Sequence, residues 1–325
     1  MNAAIIGCGL IGRKRAMALA GRCRVAVCAD PVRERAEGLA AQYGAAAEAE
    51  WQRALALPDI DVVFVAATHD ALAPVTLAAV GQGRHVLVEK PAARCPEELE
   101  PVMAAAAASG ALVRVGFNHR YHPALQKARE LVDAGAVGDL MFVRARYGHG
   151  GRVGYDREWR ARPEISGGGE LIDQGVHLID LSRWFLGDFS DVQGCAHTFF
   201  WDMPVDDNAF LTLRTPARQV AFLHASCTEW KNLFSFEIYG RTGKLDISGL
   251  GGSYGVERIA WHRMLPEMGP PETTIWEYPR SDSSWALETD EFLEDIRLGR
   301  QPVPGLGDAL AVLRVVRQVY SQGQP

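Results

Sequence analysis

A glycine-rich motif near the start of the chain has the residue types and spacing needed to bind a phosphate group. Gly7-Cys-Gly9-Leu-Ile-Gly12 has GxGxxG spacing, with an apolar run before it and a helix-forming run after it. In a strand–turn–helix setting, the glycines permit a tight turn and helix amides can approach a pyrophosphate. We therefore expect Gly7, Gly9, Leu10, Ile11 and Gly12 to contribute to a dinucleotide site.

An acidic residue stands where such a site needs one. Asp30 ends the second apolar run, 18 residues beyond Gly12, and its carboxylate there can accept hydrogen bonds from ribose hydroxyls. Its charge would repel the 2′-phosphate of NADP, so we predict NAD as the cofactor. NADP is the less favoured alternative, because Arg33 and Arg35 lie just downstream and are suited to a phosphate.

Three further side chains are suited to proton transfer. Lys90 follows an apolar run in Glu89-Lys90-Pro91, and its ammonium could stabilise an oxyanion or exchange a proton with a hydroxyl. Asp173 and His177 are four residues apart, which places both on one face of a regular helix. A histidine beside a carboxylate suits a general base, although a helix cap beside a core histidine gives the same pattern. No metal site is predicted, because no third histidine or cysteine lies at ligand spacing.

The alternation of apolar runs, helical stretches and turns predicts an α/β fold with two domains. Residues 1–119 should form a doubly wound parallel sheet of the Rossmann type, with strands at 3–6, 24–28, 62–66, 85–88 and 112–115 and helices between them. Residues 120–325 should form an α+β domain with a large, mostly antiparallel sheet. Its predicted elements are helices near 123–134 and 174–186, a strand near 140–147, β-rich sequence over 191–278, and helices at 284–298 and 307–321, the last packing back toward the first domain.

Composition excludes several classes of function. The 325 residues include 34 Lys and Arg against 40 Asp and Glu, a formal charge of −6, which gives no global positive field for nucleic acid. The six cysteines are scattered, as in reduced intracellular proteins. The apolar start is too short for a signal peptide, and no later run approaches the length of a membrane span. We expect a cytoplasmic protein without a nucleic-acid or membrane partner.

The motifs in this order resemble the glucose-fructose oxidoreductase/inositol dehydrogenase (Gfo/Idh/MocA) family over nearly the whole chain. Besides the motifs already given, the resemblance rests on Gly116-Phe-Asn118-His-Arg120-Tyr121 and on Asp180. It implies a Rossmann domain, an open-faced sheet in the second domain, and a substrate bound between them. It also implies that Lys90, Asp173 and His177 are catalytic, that Glu89 and Lys90 lie beside the cofactor, and that the sheet mediates a homodimer or homotetramer.

Substrate contacts are predicted from polar and aromatic residues beyond the fifth strand. Candidates besides the catalytic set are Asn118, Arg120, Tyr121, Trp159 and Arg160. Trp159 could stack on a sugar ring, and the arginines could bind a phosphate or carboxylate. These arginines crowd one stretch: Arg144, Arg146, Arg152, Arg157, Arg160 and Arg162. The alternative is a surface loop in which they pair with Asp156, Glu158 and Glu164.

The leading hypothesis is an NAD-dependent dehydrogenase acting on a secondary alcohol of a sugar, cyclitol or nucleotide-sugar. His177 would accept the hydroxyl proton, Asp173 would orient it, and Lys90 would stabilise the oxyanion, although spacing alone leaves the roles of Lys90 and His177 interchangeable. One alternative is a redox-neutral epimerase, lyase or glycosidase that uses NAD transiently. Another is a non-catalytic regulator that binds dinucleotide and sugar.

Overall fold

The computed structural model describes residues 1–323 and divides into two compact units. The first comprises Met1–Phe117, Glu164–Gly167 and Trp285–Leu313. The second comprises Asn118–Pro163, Gly168–Ser284 and the chain from Arg314 onward. No helix within residues 1–323 has both the length and the apolar composition needed to cross a membrane.

The first unit is built on a six-stranded parallel sheet in the order β3-β2-β1-β4-β5-β6, which is the Rossmann order. This confirms the predicted fold class. Its strands are β1 (Asn2–Ile6), β2 (Arg24–Ala29), β3 (Ala46–Glu48), β4 (Val62–Val65), β5 (His85–Glu89) and β6 (Val113–Gly116). Its first five helices are α1 (Leu10–Leu19), α2 (Arg33–Tyr43), α3 (Trp51–Ala56), α4 (His69–Gly81) and α5 (Pro96–Ser109).

Strand β3 and helix α3 are not predicted from the sequence. The β3 strand has three residues at the edge of the sheet and is mostly exposed, so its alanine-rich sequence lacks the apolar run that identifies a buried strand. The central strands are easier to recognise because they are buried on both faces, as in the all-apolar β4. They form the core with α1 and α2, around Phe64 and Leu39.

The second unit contains an eight-stranded sheet in the order β14-β13-β12-β11-β7-β10-β9-β8. Among the described strands, β7 and β10 pair in parallel and the other neighbours pair antiparallel, which confirms the predicted architecture. The strands are β7 (Leu140–Gly148), β8 (Asp191–His197), β9 (Asn208–Arg214), β10 (Val220–Ser226), β11 (Leu233–Gly240), β12 (Gly243–Ser248), β13 (Glu257–Arg263) and β14 (Glu272–Tyr278). The remaining helices of the chain are α6 (Pro123–Asp133), α7 (Pro163–Ser166), α8 (Val176–Leu186), α9 (Ser284–Leu298) and α10 (Leu306–Gln322).

The eight-stranded sheet has one covered face and one open face. On β10, Ala221, Leu223 and Ala225 are fully buried, whereas the alternate residue Phe222 is 51% exposed. Helix α8 contacts β7 and β10, and α6 contacts β12, β13 and β14. The alternation with period two therefore separates an apolar core face from a face that carries aromatic and charged residues.

The predicted helix over 174–186 differs from the structure in its first turn. Leu171–Gly175 form a π-helical turn, and regular α-helix begins only at Val176. The regular α-helix expected at Asp173 is therefore replaced by a π-turn, and the placement of Asp173 and His177 on one face stays a prediction. Single π-turns inside helices occur frequently at functional sites.

A buried carboxylate fixes the chain at the start of this π-turn. Asp206 Oδ1 accepts hydrogen bonds from the Gly169 amide at 2.9 Å and the Tyr320 hydroxyl at 2.8 Å, and Oδ2 accepts one from the Leu171 amide at 2.8 Å. Burial raises the pKa of Asp206, and these hydrogen bonds partly oppose that rise. A Cβ on Gly169 would lie 1.8 Å from the Asp206 carbonyl oxygen, so only glycine fits.

Replacing this carboxylate should destabilise the second unit strongly. We expect Asp206→Ala to lower the free energy of unfolding by about 3 kcal/mol, because it strands two buried amide donors and a buried phenol. Tyr320→Phe, which removes only one of the three donors, should cost about 1 kcal/mol. Urea unfolding followed by far-UV circular dichroism measures both. Equal stability of the two variants would contradict this role for Asp206.

Candidate functional site

The glycine-rich turn in the first unit is shaped by close backbone contacts. Gly7 has φ +92°, and a Cβ there would lie 2.3 Å from the Ala66 carbonyl oxygen. A Cβ on Gly12 would lie 1.8 Å from the Gly7 carbonyl oxygen. Gly9 differs, because a Cβ there meets nothing within 4 Å. Gly7 and Gly12 are therefore required by packing, whereas Gly9 borders open space.

The open space faces the start of α1. Gly9 caps this helix without any side-chain hydrogen bond to its first amides. The first-turn amides of a helix and the positive end of its dipole together attract an anion. The turn therefore fits the pyrophosphate of a dinucleotide, as the motif predicts. Leu10, at the same turn, is 72% exposed.

Asp30 is held beside this turn by two backbone amides. Its Oδ2 accepts a hydrogen bond from the Cys8 amide at 2.8 Å, and its Oδ1 accepts one from the Val32 amide at 2.9 Å. Each carboxylate oxygen has a second lone pair, so both can also accept ribose hydroxyls. Arg33, the candidate ligand for an NADP phosphate, pairs with Glu37 at 2.6 Å on the surface of α2. The Asp30 carboxylate in this position, and the pairing of Arg33 with Glu37, favour NAD over NADP.

Glu89 and Lys90 lie at the carboxyl end of β5. Glu89 is the last residue of the strand and is buried, and its carboxylate accepts a 2.6 Å hydrogen bond from Arg15. Lys90 follows and is half-buried. The carboxyl edge of a parallel sheet is where doubly wound folds bind their ligands.

Asp173 lies in the π-turn of the second unit, paired with an arginine. Arg160 Nε donates a hydrogen bond to Asp173 Oδ2 at 2.7 Å. The Asp173 charge raises the pKa of Arg160 against the opposing effect of burial. The guanidinium also lies over the ring of Trp159, 4.5 Å from its centre. The structure thus groups three residues that the sequence placed in the catalytic and substrate-binding sets.

His177 is buried in the first turn of α8 among aromatic rings. It stacks on His119 with ring centres 3.8 Å apart, and its edge meets Tyr147 at 5.9 Å. Burial raises the pKa of Tyr147 well above its usual value, and Tyr254 adds to the rise. His119 and Tyr147 are not predicted from the sequence as neighbours of His177. The position of His119 in the Gly116–Tyr121 motif was the available signal.

The other predicted substrate residues form a 3₁₀ turn, Asn118–Tyr121, that is buried. Asn118 donates a hydrogen bond to the Ser284 hydroxyl at 2.9 Å. Arg120 binds both oxygens of Asp180, at 2.8 and 2.6 Å. The guanidinium of Arg120 is thus neutralised by a buried carboxylate.

Three arginines of the arginine-rich stretch pair with acidic residues. Arg144 pairs with Glu237, Arg152 with Glu158 at 2.6 Å, and Arg160 with Asp173. The pair of Arg152 and Glu158 matches the surface-loop interpretation. Neutralised guanidinium groups attract an anionic substrate less strongly than free ones.

The second unit also contains a buried polar cluster of Tyr155, Glu170 and His149 that is not predicted from the sequence. The Tyr155 hydroxyl donates to Glu170 at 2.7 Å, and His149 Nε2 lies 3.5 Å from the same carboxylate oxygen. Burial opposes a charge on His149, but Glu170 outweighs it and raises the pKa of the imidazole. Glu170 precedes the π-turn by one residue. Across residues 1–323, no group of three or more His, Cys, Asp or Glu side chains is placed to hold a metal ion.

Comparison with known proteins identifies the family. Residues 1–117 match the family model described as oxidoreductase family, NAD-binding Rossmann fold. Residues 125–246 match the Gfo/Idh/MocA C-terminal domain. The chain belongs to the Gfo/Idh/MocA oxidoreductase family. It is an NAD-dependent oxidoreductase, as the sequence resemblance predicted.

Two curated relatives and one solved structure illustrate the Gfo/Idh/MocA relationship. A levoglucosan dehydrogenase of Pseudarthrobacter phenanthrenivorans is 26% identical over 75% of this chain and 73% of its own length. The NAD⁺-dependent scyllo-inositol 2-dehydrogenase of Bacillus subtilis is 25% identical over 97% of this chain and 92% of its own. The solved structure of a levoglucosan dehydrogenase in complex with NADH has a TM-score of 0.88 at 22% identity, covering 99% of this chain and 98% of that one, which shows the shared fold.

The two kinds of glycine in the turn should respond differently to alanine. Gly12→Ala forces a Cβ onto the Gly7 carbonyl oxygen, so we expect the free energy of unfolding to fall by about 3 kcal/mol. Gly9→Ala is the matched control and should change it by less than about 1 kcal/mol, because its Cβ enters open space. Denaturant unfolding without cofactor checks both. An unchanged Gly12→Ala protein would contradict the packing role.

Proposed function

We propose that this protein oxidises a secondary alcohol of a neutral sugar or cyclitol with NAD, or catalyses the reverse reduction. In this proposal, residues 1–119 bind NAD, and residues 120–325 bind the alcohol and mediate assembly. The observation that carries the proposal is that the chain retains Lys90 at the carboxyl end of β5 together with Asp173 and the buried His177. The relatives support the substrate class, because levoglucosan and scyllo-inositol dehydrogenases act on polyhydroxylated rings.

Lys90, Asp173 and His177 would divide the proton chemistry between them. His177 would accept the hydroxyl proton as the alcohol is oxidised, because a neutral imidazole is the side chain best matched to that transfer near neutral pH. The Lys90 ammonium would donate a hydrogen bond to the carbinol oxygen as its charge develops. Asp173, held by Arg160, would supply a fixed negative charge that favours the protonated imidazole. Bound NAD supplies the hydride acceptor.

A neutral substrate is favoured over a phosphate or nucleotide-linked one. Arg152 and Arg160 pair with Glu158 and Asp173, and Arg120 pairs with Asp180. An anion would have to displace a carboxylate from these guanidinium groups, at a cost in charge-assisted hydrogen bonds. Trp159, half-buried beside Arg160, is an aromatic residue of the kind against which a sugar or cyclitol ring could stack.

The test is the appearance of NADH by absorbance when the protein is mixed with NAD and a panel of cyclitols, free sugars, sugar phosphates and nucleotide sugars. We expect turnover with a neutral sugar or cyclitol. Lys90→Met and His177→Ala should each lower kcat at least about 100-fold, because each removes a group that acts on the reacting oxygen. Lys127→Met and His262→Ala are the matched controls, because both residues are partly exposed and lie outside the proposed catalytic set, and they should keep full activity.

Two outcomes would change the assignment. Turnover confined to sugar phosphates or nucleotide sugars would overturn the neutral-substrate proposal. NAD that stays bound without NADH release, while a sugar is epimerised or cleaved, would favour redox-neutral chemistry.

Gly9→Ala provides a cofactor test that needs no substrate, because its methyl group enters the space before α1 and should weaken NAD binding measured by calorimetry.

We also propose that the chain forms a homodimer or homotetramer through the open face of the eight-stranded sheet. This face carries Phe142 and Phe222, both exposed, and Phe210 stacked on His224 with ring centres 4.3 Å apart. Clustered exposed aromatic residues are typical of protein interfaces. A cytoplasmic location is proposed as well, since all six cysteines are free thiols.

Disrupting the open face should change the assembly. We expect light scattering of the wild-type protein to give two or four times the mass of the chain, and Phe222→Glu to lower that mass, because it buries an unpaired charge in the interface. Leu77→Glu is the control, an exposed leucine on α4 of the first unit. A wild-type monomer would overturn the proposal.

A further inference from the structure

Helix α1, which follows the glycine-rich turn, carries a guanidinium that is sealed from solvent. Arg15 lies one turn beyond Gly12, and its side chain is 0% exposed. Its Nε donates to Glu89 Oε1 and its Nη1 donates to Glu288 Oε2, both at 2.6 Å. Arg15 therefore ties together three elements of the first unit: α1, the end of β5 and α9.

Arg15, Glu89 and Glu288 form a bridge of ion pairs, and the space around this bridge matches the size of its side chains. A Cβ on Gly116, at the end of β6, would lie 2.7 Å from Arg15 Nη2 and 3.1 Å from Glu89 Oε2. The ring of Trp285 lies against the guanidinium, 4.5 Å from ring centre to its carbon atom. A larger side chain at Gly116 would displace Arg15 or Glu89. The space at this edge of the sheet is therefore filled by the ion pair itself.

Glu89 connects the bridge to Lys90. Its side chain is held by Arg15, and its carbonyl oxygen accepts a hydrogen bond from the Ala92 amide at 3.0 Å. Lys90 lies between these two anchored residues. When the Glu89 carboxylate is held less firmly, the turn that carries Lys90 is held less firmly as well. Arg15 can therefore affect Lys90 without contacting the substrate.

Glu288 gives the bridge two charge states near neutral pH. Burial raises the pKa of Glu288 to about 7, although the Arg15 charge opposes this rise and Glu89 adds to it. The other charged group acting on Glu288 is Arg114, which pairs with Asp295 and lies 3.6 Å from Glu291. When Glu288 is protonated, Arg15 forms its charged pair with Glu89. When Glu288 is ionised, two carboxylates share one guanidinium and repel each other.

We propose that Arg15 and Glu288 are positioning residues for Lys90, and that loss of the Glu288 proton loosens the hold of Arg15 on Glu89 and on the turn that carries Lys90. This inference rests on the proposed function only for its effect on catalysis. The positioning itself belongs to the protein without substrate and can be measured there.

The first experiment is amide hydrogen exchange by mass spectrometry on the full chain, followed in peptides covering residues 86–92. At about pH 8, where Glu288 is ionised, we expect these amides to exchange at least about threefold faster in the wild type than in Glu288→Gln. At about pH 6 the two proteins should exchange equally, because the glutamine mimics the protonated acid. Arg15→Lys, which cannot bridge both carboxylates, should exchange faster than the wild type at both pH values.

A matched control separates this role from simple helix docking. Asp290 on α9 pairs with Arg22, which follows α1, in an exposed ion pair that does not involve Glu89. Asp290→Asn should therefore leave exchange of residues 86–92 at the wild-type rate. A ratio between wild type and Glu288→Gln that is the same at both pH values, or an equal effect of Asp290→Asn, would overturn the proposal. If Glu288→Gln does not fold, the same peptides in the wild type should still exchange faster at the higher pH than intrinsic chemistry alone requires.

Activity provides the second measurement where a substrate of the proposed reaction is found. The ratio of wild-type kcat to Glu288→Gln kcat should be near one at about pH 6 and fall at least about threefold by about pH 8, because pH effects common to both proteins cancel in the ratio. An unchanged ratio would overturn the positioning role. If no alcohol yields NADH while the exchange difference is present, the proposed function fails and the positioning network stands.

Discussion

A charge taken out of water costs several kcal/mol unless an opposite charge and good hydrogen bonds replace its hydration, and this constraint organises both units. In the first unit, Glu89 is held by Arg15 beside Lys90. In the second, Asp173 is held by Arg160, and Arg120 is held by Asp180. In each ion pair, hydrogen bonds between the opposite charges hold both side chains in one position. Of the residues proposed to be catalytic, Asp173 thus lies within such a pair and Lys90 follows one along the chain.

The π-turn at Leu171–Gly175 shows how the second unit maintains an irregular backbone. A π-turn is less stable than α-helix, so its neighbours must impose it. Asp206 does so by accepting two amides at its start, and the glycine at position 169 is needed because the chain passes directly over Asp206. Asp173 projects from this turn toward Arg160. The irregular turn therefore decides where the acidic residue lies relative to α8, and the buried carboxylate of Asp206 keeps it there.

The sequence predicted the features that depend on local propensity and on short spacings between residues. The glycine motif, the acid at Asp30 and the helix at 284–298 follow from local propensity and spacing, and the structure has them where the sequence placed them. It did not predict β3, whose exposed edge position removes the apolar signal. It also missed Glu288, which meets Arg15 across 273 residues. Such pairs depend on how whole elements pack against each other. A single sequence does not show which distant residues that packing brings together.

The stack of His119 on His177 bears on the proposed role of His177 as a base, because a base must release the proton that it accepts. Two imidazoles 3.8 Å apart cannot both be protonated without mutual repulsion, so a proton on one disfavours a proton on the other. Asp173 is balanced by Arg160, which limits how far its carboxylate can favour imidazolium. A neutral imidazole is the form that accepts a proton from an alcohol. In the proposed reaction, the stack on His119 opposes a lasting charge on His177, whereas Asp173 supplies the negative charge that favours proton uptake.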